Sequence, residues 1–267
     1  MTLPDPGKGH AALVTGASAG IGTEIARELA ERGHRVVLVA RNAERLEELA
    51  IELGDRASVL PADLSSREER TELPNRVAAL GLEVNILVNN AGLSTMGPVA
   101  LADPGAELNV VEVDVAAVVD LCTRFIPPMV NRRSGAVLNV ASVAAFGPLP
   151  GQAVYGASKS FVLSYSQALR QELKGSGVAV TALCPGPVHT GFAETAGFTS
   201  EEESLLPEIM WESSEDVARA GVEALDSDKG IVVPGRLNQA ISTLYQFTPR
   251  QLLLPILART HPGLKKR

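Results

Sequence analysis

The stretch Arg35-Val36-Val37-Leu38-Val39-Ala40 sets five apolar residues in a row, three of them β-branched. A strand with one wet face would alternate apolar and polar residues. An unbroken run marks a strand covered on both faces, the condition of parallel sheets in α/β folds. Comparable runs lie at residues 11–15, 57–60, 85–88, 136–140, 178–184 and 231–233. Between them apolar residues recur at helical spacing: Ile25, Leu29 and Ala30, closed by Gly33; then Leu46, Leu49 and Leu53 behind Asn42 as N-cap. Ser65-Ser66-Arg67-Glu68 offers a capping box for a helix running towards Leu80, and further helices are expected over 110–130, 152–174 and 214–225. This alternation predicts an α/β chain: a doubly wound parallel sheet of about seven strands, with right-handed crossovers laying helices on both faces in three layers. No linker, low-complexity stretch or repeat interrupts it, so residues 1–267 are expected to form a single domain.

The function classes narrow with composition. With 45% hydrophobic and 21% charged residues the chain can build a full core, which excludes disorder. Twenty-four Lys and Arg against 31 Asp and Glu leave a net charge of −7, the wrong sign for coating nucleic acid. Cys122 and Cys184 stand in apolar contexts without metal-ligand spacing and read as reduced core residues, so no metal site is expected. The first ten residues lack the apolar run of a signal peptide and no stretch is apolar enough to span a bilayer, which points to the cytoplasm. The distribution of charge is uneven. From Lys229 onward there are seven basic and no acidic residues, so the 228 residues before it carry 17 − 31 = −14.

In a sheet of this kind the ligand lies beyond the carboxyl ends of the strands, and the first turn receives a pyrophosphate. Here that turn is Thr15-Gly16-Ala17-Ser18-Ala19-Gly20-Ile21-Gly22. Its glycines let backbone approach phosphate oxygens, and the following helix turns its N–H groups and positive dipole end to an anion. The spacing is not GxGxxG, but it resembles the cofactor turn of the short-chain dehydrogenase/reductase family. Further motifs follow in that family's order: Asn89-Asn90-Ala91-Gly92, then Ser142, then Tyr155-Gly156-Ala157-Ser158-Lys159, then Pro185-Gly186-Pro187-Val188 with Thr190. The resemblance covers about residues 10–235. It implies a Rossmann-like fold, a nicotinamide cofactor held by Gly16, Ser18, Ala19, Gly20, Ile21, Gly22, Asn90, Ala91, Gly92, Val113, Pro185, Gly186, Val188 and Thr190, with Asp63 and Leu64 at the adenine, and a homodimer or homotetramer.

The catalytic reading has support from the residues themselves. Tyr155 and Lys159 are i and i+4 on one helix face, where an ammonium favours the phenolate and makes Tyr155 an acid–base for a carbonyl or alcohol oxygen. Ser142 would hold the same oxygen, and by the resemblance Lys159 also holds the nicotinamide ribose. Asp114 falls where many family members carry an active-site Asn whose backbone carbonyl holds a relay water. Its carboxylate adds negative charge near Lys159, from which a raised Tyr155 pKa follows. Asn109 would take that place only if the local alignment slipped by five residues. At the end of the second strand Arg41, flanked by Asn42, is a cation able to pair with a 2′-phosphate, which favours NADP(H) over NAD(H).

Residues 187–212 are expected to form a lid over the substrate, with Phe192, Phe198, Leu205, Leu206, Ile209, Met210 and Trp211 as an apolar wall opposite Ala145, Phe146, Leu149 and Pro150. That wall fits a keto-acyl, steroid-like or other lipophilic ketone. The basic C-terminal extension, 236–267, mixes cations with Leu244, Tyr245, Phe247, Leu252, Leu253, Leu254, Ile256 and Leu257. Packing on its own acidic body or on a second subunit is favoured over contact with an anionic membrane. Two other functions stay open: an NAD-dependent alcohol dehydrogenase of the same family, and a non-catalytic NADP-binding regulator.

Overall fold

The computed structural model describes residues 3–199, 201, 207–260 and 262–264. Seven strands form one all-parallel sheet in the order β3-β2-β1-β4-β5-β6-β7. They are β1 (His10–Thr15), β2 (Arg35–Val39), β3 (Ala57–Val59), β4 (Glu83–Asn89), β5 (Gly135–Val140), β6 (Val178–Leu183) and β7 (Ile231–Val232). Chain order reverses at β1, which pairs with β2 on one side (Val14 with Leu38) and β4 on the other (Val14 with Val88). That reversal opens a crevice beyond the ends of β1 and β4, where ligands bind in doubly wound sheets.

The helices are α1 (Gly20–Glu31), α2 (Ala43–Leu53), α3 (Arg67–Ala79), α4 (Pro104–Val111), α5 (Ala117–Asn131), α6 (Ala153–Glu172), the single turn α7 (Phe192–Thr195), α8 (Ser214–Asp226), α9 (Arg236–Phe247) and α10 (Arg250–Thr260). Successive β1 residues divide between two cores. Ala11 and Leu13 pack with Leu73 and Val77 of α3, Leu121 and Phe125 of α5 and Val162 of α6. Ala12 and Val14 pack with Ile25 and Leu29 of α1, Leu46 and Leu49 of α2 and Val217 and Val222 of α8. This is why the interior strands read as continuous apolar runs.

Three local expectations shift. The helix expected over 110–130 begins at Pro104, capped by the Asp103 carboxylate accepting from Ala106 N–H at 2.8 Å, and passes through a π turn, Glu112–Ala116, between α4 and α5. The α3 cap is one residue later than the capping-box reading: Ser66 accepts from Glu69 N–H at 3.3 Å, while Glu69 reaches back to Asp63 N–H at 2.8 Å. The basic extension is two helices, broken at Pro249. Tyr245 and Leu253 close on Gly147, whereas Leu244, Phe247, Leu252, Leu254 and Ile256 are exposed. Both cysteines are buried and free, and among the described residues no helix is long and apolar enough to cross a membrane.

Candidate active site

The crevice has two ends. At the first, β1 and β4 deliver their turns side by side and Thr15 sews them together: its hydroxyl donates to Val88 C=O and accepts the N–H groups of Asn90 and Ala91, at 3.1, 2.9 and 3.0 Å. The Asn90 amide returns to Thr15 C=O and Gly16 C=O at 2.9 and 3.3 Å. Two glycines are obligatory in this seam. Gly16 has φ +67°, and a Cβ there would lie 2.9 Å from Ala91 Cα; a Cβ on Gly22 would lie 2.3 Å from Gly16 C=O. Thr190 sits over Gly20, which also has positive φ. Ala19 heads α1 in an extended conformation with no side-chain cap, so its first-turn N–H groups lack the partner that Asn42 supplies on α2. Ser18 and Ile21 are half-buried and Ala19 exposed along the open side of the turn.

Along the same rim Arg41 is exposed after β2, and its cation acts on Asp63, at the end of the segment following β3. The Asp63 carboxyl lies below the usual carboxylate range, chiefly because Ser65 N–H donates to it at 2.9 Å, with the Ser65 hydroxyl at 2.8 Å and Arg41 assisting. Leu64 is buried behind it. Asn42 caps α2, its side-chain oxygen accepting Arg45 N–H at 3.1 Å.

The second end is built from charged side chains. Ser142 follows β5; its hydroxyl accepts Ala144 N–H at 3.1 Å and stands beside the Tyr155 phenol, on the first turn of α6. Lys159, one turn on and 4% exposed, donates to Val140 C=O at 3.3 Å and lies 5.7 Å from the Tyr155 ring centre. Asp114, completely buried in the π turn beside buried Val113, places Oδ2 3.0 Å from Lys159 Nζ and accepts Leu93 N–H on Oδ1 at 2.7 Å. Gly92 roofs this pair; a Cβ there would stand 3.0 Å from Lys159 Nζ. On the β6 side Pro185 C=O accepts Val143 N–H at 2.9 Å, Gly186 lies against Asn238 and Val188 bridges to Glu212. The structure thus brings the glycine turn together with Asn90, Ala91 and Thr190, and Asp114, Lys159 and Tyr155 together beside Gly92 and Ser142, while the Asn42 and Asn90 side chains make hydrogen bonds within the fold. Asn109 lies on α4, one turn before the π turn.

A family model described as short chain dehydrogenase matches residues 10–200. The chain belongs to the short-chain dehydrogenase family. Among its relatives is the NADP-dependent 3-hydroxy acid dehydrogenase of Escherichia coli, 38% identical over 212 residues, which are 78% of this chain and 86% of that one. A short-chain dehydrogenase from Sphingobium yanoikuyae, solved in complex with NADPH, is 30% identical with a TM-score of 0.77 over 90% of this chain and 96% of its own. The bulky-bulky ketone specific alcohol dehydrogenase from Comamonas testosteroni is 28% identical with a TM-score of 0.75, covering 96% and 95%. As a member, this dehydrogenase is an oxidoreductase with a nicotinamide-binding Rossmann fold.

Burial governs ionisation at the second end of this dehydrogenase's crevice. It pushes the Tyr155 phenol above its ordinary value, opposed by Lys159 and the Ser142 hydroxyl and reinforced by Asp114. Burial pulls Lys159 down, but Asp114 and then Tyr155 more than offset it and the ammonium is held above its ordinary value. Burial drives Asp114 upward against the pull of Lys159 and Leu93 N–H. The Cys184 thiol facing Lys159 is pushed up to about 12, and so is a neutral neighbour.

Several positioning groups had no role in the motif reading. Thr15 directly precedes the glycine turn and could have been found as the seam residue. Leu93 acts through its backbone and leaves no side-chain signal. Asn238, buried on α9, donates to Met210 C=O at 3.1 Å and lies against Gly186, while Gln152 donates to Ser94 at 2.8 Å. Phe192, already counted in the apolar wall, packs on Tyr155 with ring centres 5.9 Å apart. Leu205 and Leu206 of that wall lie outside the described residues.

Proposed function

We propose that this chain is an NADP(H)-dependent oxidoreductase that interconverts a lipophilic ketone or aldehyde and its alcohol. The observation that carries the reading is the convergence of Ser142, Tyr155 and Lys159 beside a turn whose helix N-terminus is left uncapped. The Gly16–Gly22 turn fits a pyrophosphate, and Arg41 beside Asp63 fits an adenosine 2′-phosphate. Asp63 and Leu64 would border the adenine, and Asn90, Ala91, Gly92, Val113, Pro185, Gly186, Val188 and Thr190 the rest of the dinucleotide. Its nicotinamide supplies or accepts a hydride when bound. Ser142 polarises the carbonyl oxygen, Tyr155 gives or takes the proton there, and Lys159 orients the ribose and steadies Tyr155. Asp114 fills the place of the family's Asn, with its backbone carbonyl available to a relay water.

The substrate class rests on the apolar side of Tyr155. Phe192 covers it, and the segment 187–212 is pinned at its base, where Glu212 N–H donates to Pro187 C=O at 3.0 Å. A segment tied at both ends and carrying apolar side chains suits a lid over a lipophilic ketone. We assign residues 1–267 to one domain with 236–267 as its extension. A homodimer or homotetramer fits the exposed Leu108 and Val111 on α4 and Phe161 on α6. A cytoplasmic setting suits the reduced cysteines.

The test is nucleotide binding followed by fluorescence with NADPH and NADH, in wild type and Arg41→Ala, and then turnover of a panel of aryl and alkyl ketones. Preference for NADPH that disappears in the variant supports the reading. Binding of neither nucleotide overturns it, and nucleotide binding with no turnover of any carbonyl or alcohol would favour the regulatory alternative.

A further inference from the structure

Asp114 is the one fully buried carboxylate among the described residues, and the helix departs from regular geometry to bury it. The π turn Glu112–Ala116 widens the coil so that Val113 and Asp114 point inward while Glu112 is exposed. The carboxylate then meets one donor, Leu93 N–H at 2.7 Å, and one cation, Lys159 Nζ at 3.0 Å. Gly92 has no side chain where one would press on the pair. A buried charge is retained only when paired, and here each member is the other's counter-ion.

The pairing changes what Lys159 does to its neighbour. An ammonium alone beside a phenol favours the phenolate, but an ammonium with a carboxylate 3.0 Å away presents little net charge. Among the described residues, the groups facing Tyr155 and Lys159 are few: Ser142 after β5, the neutral Cys184 thiol after β6, Asp114 from the π turn and the apolar ring of Phe192. None of them replaces the cancelled positive charge.

From this geometry we infer that Asp114 is a positioning residue that clamps Lys159 and neutralises its charge, setting the site to donate the Tyr155 proton to a carbonyl rather than to withdraw one from an alcohol. The inference deepens the proposed oxidoreductase reading. In the reductive direction, with a hydride for the carbonyl carbon coming from the reduced nicotinamide the site would hold, the Tyr155 O–H bond breaks as the alcohol O–H bond forms, and a proton taken up from solvent restores the phenol, so each turnover consumes one hydride and one proton. The ketone–alcohol equilibrium is untouched; Asp114 sets the pH at which each direction runs. The Tyr155 phenol is raised first by burial, and Asp114 adds to that rise against the pull of Lys159.

The test needs neither substrate nor nucleotide. Near-ultraviolet difference titration of wild type minus Tyr155→Phe isolates Tyr155 from Tyr165 and Tyr245, and the same subtraction is made in an Asp114→Asn background. The wild-type midpoint is expected above the ordinary tyrosine value of about 10, and Asp114→Asn is expected to lower it by about 1 to 2 pH units. An Asp114→Ser protein serves if the amide variant fails to fold. A wild-type midpoint below the ordinary value, or one unmoved in a folded variant, overturns the inference, since a merely structural Asp114 would leave it in place. NADPH binding by the same proteins reports separately on the oxidoreductase reading, so either can fail while the other stands.

Discussion

The two ends of the crevice are made of opposite materials. The nucleotide end is backbone: glycines without Cβ, uncapped N–H groups, and a threonine hydroxyl and an asparagine amide stitching one turn to the next. The proposed proton-transfer end is side chain: a carboxylate from the π turn, a hydroxyl after β5, and a phenol and an ammonium one turn apart on α6, all buried or half-buried. The first is specified by what is missing, the second by what is paired. Substitutions in the glycine seam should therefore cost structure and binding together, and loss of the Tyr155 hydroxyl at the second end chemistry alone.

The largest expected effect tests that separation directly. Tyr155→Phe removes the hydroxyl proposed to donate the proton but keeps the ring against Phe192, so turnover of a reducible ketone should fall by about 10²–10⁴-fold. NADPH binding by fluorescence and the unfolding temperature should stay near wild type. A matching loss of nucleotide affinity would mean that the two ends are not separable. Gly22→Ala is the converse. Its new methyl would lie 2.3 Å from Gly16 C=O and 2.4 Å from the Asn90 side-chain amide, which is itself held by Thr15 C=O and Gly16 C=O. A destabilisation of about 1–3 kcal/mol is expected, read as a lower midpoint in chemical unfolding together with weakened NADPH binding.

The same contrast explains what the sequence disclosed. Gly16, Gly20 and Gly22 are contiguous, and the demand for positive φ at Gly16 and Gly20 shows in the choice of residue. Tyr155 and Lys159 were legible because helical period places i and i+4 together. The sheet was legible because strands covered on both faces cannot hide their apolar runs. The carboxylate's environment was less so: Asp114 could be placed near Lys159, but the clamp by Leu93 N–H and the π turn belong to backbone, which leaves no residue signature. Asn238 meets Gly186 across 52 positions, a contact that only the docking of α9 creates. The early start at Pro104 was readable, since Asp followed by Pro is an N-cap and first-turn pair.

Arg41 sharpens the comparison, because it is a charged side chain at the backbone-built end. It is exposed and forms no part of the seam, so Arg41→Ala should leave stability unchanged and weaken NADPH about tenfold, the scale of a solvent-exposed charge-assisted contact, with NADH affinity unmoved. Equal weakening of both nucleotides, measured by fluorescence titration, would show that Arg41 acts through Asp63 and the adenine rim rather than through a 2′-phosphate.

The smallest effect lies away from both ends, at the amino edge of the sheet. His34, 3% exposed between α1 and β2, is held below its ordinary pKa of 6.5 first by burial and then by Arg32, with Asp226 and Asp5 pulling the other way. In the unfolded chain it takes up a proton near 6.5, whereas the folded chain resists until lower pH, so in that window the unfolded state binds more protons and stability rises with pH. His34 thus contributes fully above 6.5, and its contribution is lost as pH falls through that value towards the depressed folded one. Thermal unfolding followed from about pH 7.5 to about pH 5 should show a decline that is shallower in His34→Gln. NADPH binding in that variant should match wild type at neutral pH, because the crevice opens at the opposite edge of the sheet. Equal slopes in the two proteins would assign the acid sensitivity to carboxylates and place His34 outside the pH response.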